Sequence, residues 1–193
     1  MKNARRIIPI LLVPLLFFGG GAILPLAAYN LKAAFAPQPA LLTSIGQSAD
    51  VEMAKTIMAR AKLNFTMDPT IKAQALASTN AKTLVIVIGG SSKGLGAAGI
   101  SAEAELERTK ALLAEAKKRG MKIIGLHIGG EARRGELSDR FINEAVPSCD
   151  YFIVVEEGNK DGLFTKLCGN KIPLDIVQKI SQIGEPLAAA FLK

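Results

Sequence analysis

The chain has 193 residues, with 24 Lys and Arg against 17 Asp and Glu, one His, two Cys, no Trp and 5% aromatics. That length suits one ordinary domain and excludes two large ones. An apolar fraction of 49% with 21% charge excludes a disordered tail, two cysteines exclude a disulfide-framework miniprotein, and the lack of a repeat period excludes a solenoid or fibre.

The first 36 residues read as an address. Lys2, Arg5 and Arg6 precede an apolar stretch over residues 7–18, Gly19, Gly20 and Gly21 interrupt it, and residues 22–28 are apolar again. A basic head, an apolar middle and small residues beyond form an export signal, and no acidic residue occurs before Asp50. The expected destination is the periplasm or the extracellular space if the leader is cut, or the membrane if residues 7–28 stay as an anchor. Both outcomes remain open. Ala34, Phe35 and Ala36 carry small residues where a signal peptidase wants them, yet Pro37 would follow the cut. Residues 7–28 span 22 positions, enough to cross a bilayer. Pro9, Pro14, Pro25 and the triple glycine weaken such a helix.

If the leader is cut after Ala36, Lys2, Arg5, Arg6 and Lys32 leave with it, so the rest holds 20 basic against 17 acidic residues and the net charge falls from +7 to +3. A basic stripe on the folded part is what nucleic-acid binding needs, and no nucleic-acid partner is expected. Cys149 and Cys168, 19 positions apart, read as buried small hydrophobes before they read as a disulfide.

Residues 37–193 are expected to form a single α/β domain. Residues 40–45 are a short apolar run stopped by Gly46. Val51, Ala54, Ile57, Met58 and Ala61 then recur at helical spacing, with Ser48 or Asp50 as the cap. Residues 64–69 hold room for a short strand, and residues 70–77 give a weak helical signal. Thr83, Leu84, Val85, Ile86, Val87 and Ile88 form an unbroken β-rich run ending in Gly89 and Gly90, as expected of a parallel strand buried on both faces. Ser101 caps the best helix, with Glu103, Glu105 and Glu107 early, Lys117, Lys118 and Arg119 late, and Gly120 as the stop. A run over residues 122–128, a helix over 138–145 and a run over 151–155 follow. A last helix is expected to begin near Ile172 and Pro173, use Ile176, Val177, Ile180 and Ile183 as its apolar face, and end at Gly184 and Pro186. This alternation implies a three-layer, mainly parallel sheet of four to five strands with helices on both faces, Rossmann-like or flavodoxin-like.

Ligands of such sheets bind beyond the carboxyl ends of the strands. The exits gather Gln47, Ser48 and Asp50, then Gly89, Gly90, Ser91, Ser92, Lys93 and Gly94, then His127, Glu131, Arg133 and Arg134, then Glu156, Glu157, Asn159 and Asp161. Closely spaced glycines let backbone N–H groups turn into a concave nest, which serine hydroxyls and the Lys93 ammonium would complete as an anion site. His127, the single histidine, is the one weak candidate for acid–base work. Arg133 and Arg134 are expected to pair with Glu131 and Glu136 or with an anionic ligand. No metal constellation, nucleophile elbow or Walker loop is present, so the residues name no cofactor.

Gly90, Gly94 and Gly96 have the spacing of the cofactor loop of short-chain dehydrogenases/reductases, and the segment is similar to it. That resemblance implies a dinucleotide. The family's tyrosine–lysine pair is absent here, because Val155 stands four after Tyr151, and His127 ends the next strand where an acidic residue would hold the ribose. Taken over residues 41–183, the Gly46, Gln47, Ser48, Ala49, Asp50 turn, the Ile88 to Ser91 loop and the turn from Glu157 to Gly162 carry a broader likeness. The chain resembles exported bacterial proteins of unknown function with one Rossmann-like domain behind a signal segment. This implies a fold and a compartment but no activity.

Three functions stay in play. The leading one is a non-enzymatic domain binding a small anionic molecule through Gln47, Ser48, Asp50, the 89–94 loop and His127. The second is a nucleotide- or dinucleotide-dependent enzyme using the same loop, with His127 as acid–base. The third is a membrane-anchored protein-interaction module, with Leu187, Phe191 and Leu192 in the tail as the first docking candidates.

Overall fold

The computed structural model describes residues 30–193. The expected signal or anchor segment lies, but for its last residues, outside the described residues. Among the described residues no helix is long and apolar enough to cross a membrane.

The elements alternate as β1 (Ala40–Ile45), α1 (Asp50–Arg60), β2 (Phe65–Met67), α2 (Ala73–Ala77), β3 (Thr83–Ile88), α3 (Ser92–Ala97), α4 (Ala102–Lys118), β4 (Lys122–His127), α5 (Glu136–Ala145), β5 (Tyr151–Val155), α6 (Leu163–Cys168), β6 (Leu174–Val177) and α7 (Gly184–Ala190). Six strands form one sheet in the order β2-β1-β3-β4-β5-β6, every pairing parallel. The chain moves one way from β1 to β2 and the other way from β3 onward, so strand order reverses between β1 and β3. This is the flavodoxin-like order extended by one strand.

The unbroken apolar runs are explained by burial on two faces. Along β3, Leu84, Ile86 and Ile88 enter one core cluster with Leu112, Ile142 and Phe164, while Val85 and Val87 enter the other with Val51, Met58 and Leu187. Because β1 to β2 runs against the later crossovers, right-handed connections put α1 on the face opposite α4, α5 and α6. Helix α7 joins α1 on that second face.

Several expectations are corrected. The sheet has six strands, not four or five. Leu174–Val177 is an edge strand paired with β5 rather than the start of a helix. A four-residue β-rich edge segment has too few positions to show a period, and its apolar residues happened to fall at helical spacing with the 3₁₀ turn that follows. Gly184 and Pro186 begin α7 instead of ending a helix; proline is tolerated there because first-turn amides have no intrahelical acceptor. Ala49, not Ser48 or Asp50, occupies the N-cap position of α1, although the Ser48 hydroxyl accepts from Asp50 N at 3.3 Å. Helix α4 is as expected, its Ser101 cap accepting from Ala104 N at 3.1 Å. Cys149 and Cys168 are both free and buried, and burial raises both thiol pKa values, that of Cys168 to about 11. Leu31 and Ala36, on the leader side of the expected boundary at residues 36/37, are buried in the second core cluster.

The glycines of residues 89–96 serve close approach. A Cβ on Gly94 would lie 1.8 Å from the Gln47 carbonyl oxygen, and one on Gly90 would lie 2.9 Å from Leu137 Cγ and Ser138 N. Gly94→Ala therefore has to push α3 off the β1 exit. The expected cost is about 2–4 kcal/mol, read as a lower urea midpoint, whereas Gly96→Ala, which meets open space, changes it little.

Candidate functional site

The β1 exit is held from below by an ion pair on α4. Glu105 and Arg108 face the sheet, with side chains 0% and 7% exposed, and Arg108 Nε lies 2.7 Å from Glu105 Oε2. Glu105 Oε1 accepts from Arg108 Nη2 at 2.8 Å, from Gly46 N at 2.8 Å and from Gln47 Nε2 at 3.1 Å. Arg108 also donates to the carbonyls of Ile71 and Ser44. The pair thus fixes a turn whose backbone is left-handed at both Gly46, φ 89°, and Gln47, φ 58°. Burying a carboxylate costs several kcal/mol unless a counter-charge and hydrogen-bond donors surround it, as they do here. By sequence Glu105 stands with Glu103 and Glu107 in the first turns of the helix, with no buried role assigned to it. The available signal was its position four before Thr109 and seven before Leu112, on the buried stripe.

The β3 exit leans on that turn. Gly89 N donates to Ile45 O at 2.9 Å, Ser91 N to Gly46 O at 2.9 Å, Gly90 N to Ser138 Oγ at 2.9 Å and Gly94 N to the Ser91 hydroxyl at 3.0 Å. These four amides are engaged within the protein, which corrects the expected open nest. Ser91 is the N-cap of α3, so the segment read as a loop is a short helix. Ser92 and Lys93 in its first turn are exposed.

Among the described residues two buried side-chain oxygens lack a partner, Ser44 Oγ within β1 and one oxygen of Asp50 at its exit. The Asp50 side chain is 4% exposed, in the first turn of α1, where helix amides favour negative charge. Oδ1 receives Arg133 Nε at 3.4 Å, a long contact, and Oδ2 is buried without a hydrogen-bond partner. Around Oδ2 lie the exits of β3 and β4: a Cβ on Gly89 would sit 3.5 Å from it and one on Gly129 2.5 Å. The Arg133 chain folds over Gly129. The carboxylate therefore lies where strand order reverses, covered by one partly exposed arginine.

His127 stands deeper. It is fully buried, with Nδ1 2.9 Å from Ile88 O and Nε2 3.2 Å from Gly130 O, and its ring packs on Phe164 at 4.8 Å. A neutral imidazole can donate to one of these carbonyls only. Burial lowers its pKa below the ordinary 6.5, against the pull of both carbonyls. Arg134, expected to pair with Glu131 or Glu136, instead forks onto Asp139 at 2.8 Å and Asp161 at 2.8 Å and lies over Phe164. Those bonds hold Asp161 well below the usual carboxylate range. Glu131 pairs with Lys160 at 2.9 Å. The β4 and β5 exits are thereby tied together.

Gln47, Ser48, Asp50, the 89–94 segment and His127 do converge on one edge, but only Ser92 and Lys93 present exposed polar side chains there. A groove of about 420 Å³ lies elsewhere, between Gln74 of α2 with its N-cap Lys72 and Ala104 and Arg108 of α4 with its N-cap Ser101. No group of three or more His, Cys, Asp or Glu among the described residues could hold a metal ion.

Fold and edge together define a three-layer α/β domain with an all-parallel sheet and a buried carboxylate at its reversal point. Residues 37–191 match the family model described as Domain of unknown function (DUF6305), and the chain belongs to that family. No curated protein matches it.

Two stability predictions follow from these contacts. Arg108→Ala leaves Glu105 buried without its cation, with Gly46 N and Gln47 Nε2 still donating, and should cost about 3–5 kcal/mol in chemical denaturation, far more than Lys110→Ala in the exposed Lys110–Glu107 pair of the same helix. For His127, a depressed folded pKa means the unfolded chain binds the proton more readily. Stability should be full above pH 6.5 and fall as pH drops through 6.5 toward the folded value. Equilibrium unfolding of His127→Gln should lack that slope.

Proposed function

We propose that the chain is an exported domain that binds a small anionic ligand, without catalysis, at the carboxyl edge of its sheet between the β1, β3 and β4 exits. The observation that carries this reading is the buried, unpartnered Asp50 Oδ2. Burying a carboxylate oxygen with no donor is costly, and such a cost is retained where a ligand supplies the donor. Arg133 and Lys93 provide cations for the ligand's anionic group, and Ser92 a hydroxyl. The matching chemistry is a hydroxyl or amino donor beside an anionic group: a hydroxy- or amino-carboxylate, or a sugar phosphate. Arg133, held only at 3.4 Å, turns from Asp50 to the ligand.

Export is supported by Lys2, Arg5 and Arg6 ahead of the apolar residues 7–28. The enzyme reading has less support, because both His127 ring nitrogens face carbonyls and the ring is covered by Phe164 and Gly158. The interaction-module reading loses its first surface, since Leu187 and Phe191 are buried and only Leu192 of the three is exposed.

A thermal-shift screen of inorganic phosphate, sugar phosphates, hydroxy- and amino-carboxylates, nucleotides and divalent metals tests the proposal. A compound at about 100 times its Kd should raise Tm by several degrees, and Lys93→Ala should weaken that shift at least tenfold in concentration. Asp50→Asn should keep or raise the unliganded Tm while abolishing the shift. No shift from any compound, with Lys93→Ala equally indifferent, would overturn it.

A further inference from the structure

Residues 30–36 lie just outside the family match, which begins at residue 37. They are nevertheless built into the domain. Asn30 N donates to Asp175 Oδ1 at 2.9 Å and Asn30 Nδ2 to Leu174 O at 2.6 Å, while the Tyr151 hydroxyl donates to the other Asp175 oxygen. Leu31 is buried, and the Phe35 ring meets Tyr151 edge-on at 6.4 Å. The Phe35 and Ala36 amides both donate to Ala190 O at 2.9 Å, Ala36 O accepts from Leu192 N at 2.9 Å, and Ala36 pairs with Phe191 in a parallel bridge. A chain starting at Pro37 would lose all of these. It would uncover Tyr151, Ala190 and Phe191 and leave Asp175 with Tyr151 alone among its named partners.

We infer that residues 30–36 are a permanent strap of the mature protein, so that any cut by a signal peptidase falls before Asn30 and not after Ala36. The reaction is hydrolysis of one peptide bond: the C–N bond breaks, water's oxygen joins the carbonyl carbon to give the carboxylate, and its protons go to the released amine, so only the position is at issue. The position carries an orientation. Tyr151 begins β5 and Leu174 begins β6, so the strap is docked at the amino edge of the sheet. Asp50, Lys93 and Arg133 stand at the carboxyl edge, about 20 Å away along a six-residue strand.

The test is N-terminal sequencing and intact mass of the full chain expressed in an exporting bacterial host. A first residue at or before Asn30, the uncut chain included, is the expected result; a first residue anywhere from Leu31 to Pro37 overturns the inference. In the same full chain, Asn30→Ala combined with Phe35→Ala should lower Tm by on the order of 5 °C, with exposed Lys32→Ala as the unaffected control. An unchanged Tm for the double variant would show that the segment is no strap.

Discussion

Glu105 has no exposed side-chain surface, and the turn after the first strand is built around it. Its donors come from Arg108 on the same helix and from Gly46 and Gln47 on the turn, while Arg108 reaches the carbonyls of Ser44 and Ile71. One ion pair therefore sets the β1 exit, the segment before α2 and the start of α4 in a common frame. In so dry a place neither charge can be removed alone without stranding the other. The left-handed backbone at Gly46 and Gln47 persists because these contacts over-determine it.

The frame has a consequence for the edge above it. With the β1 turn fixed, the β3 exit can approach only through glycine, and its amides bond to that turn and to Ser138. The dense packing that consumes the glycine amides also carries Asp50 inward until one carboxylate oxygen has no donor. The candidate site is thus defined less by the glycine run than by the acid beside it. Arg134, locked between Asp139 and Asp161, closes the β4 and β5 side, leaving Arg133 as the looser arginine of the pair.

Much of the fold was legible because its cause is local. Thr83–Ile88 is apolar at every position, as a strand with helices on both faces must be, and Ser101 with Gly120 bracketed α4. The errors cluster where a segment is short. Leu174–Val177 is a strand because β5 offers it an edge, and Ser92–Ala97 is a helix because Ser91 caps it and Gln47 receives it closely. Neither neighbour is visible along the chain.

The candidate site divides in the same way. Sequence by itself determined that polar and glycine residues collect at the strand exits, since each exit follows an apolar run that only a buried parallel strand explains. Which of those groups is satisfied and which is left wanting was decided by tertiary structure alone. Hydrogen-bond partners such as Ser138 for Gly90, Glu105 for Gly46 and Asp175 for Asn30 stand 48, 59 and 145 positions apart. Pairings at that range leave no period or spacing in a single chain, because they are fixed by how the layers stack and not by any local preference.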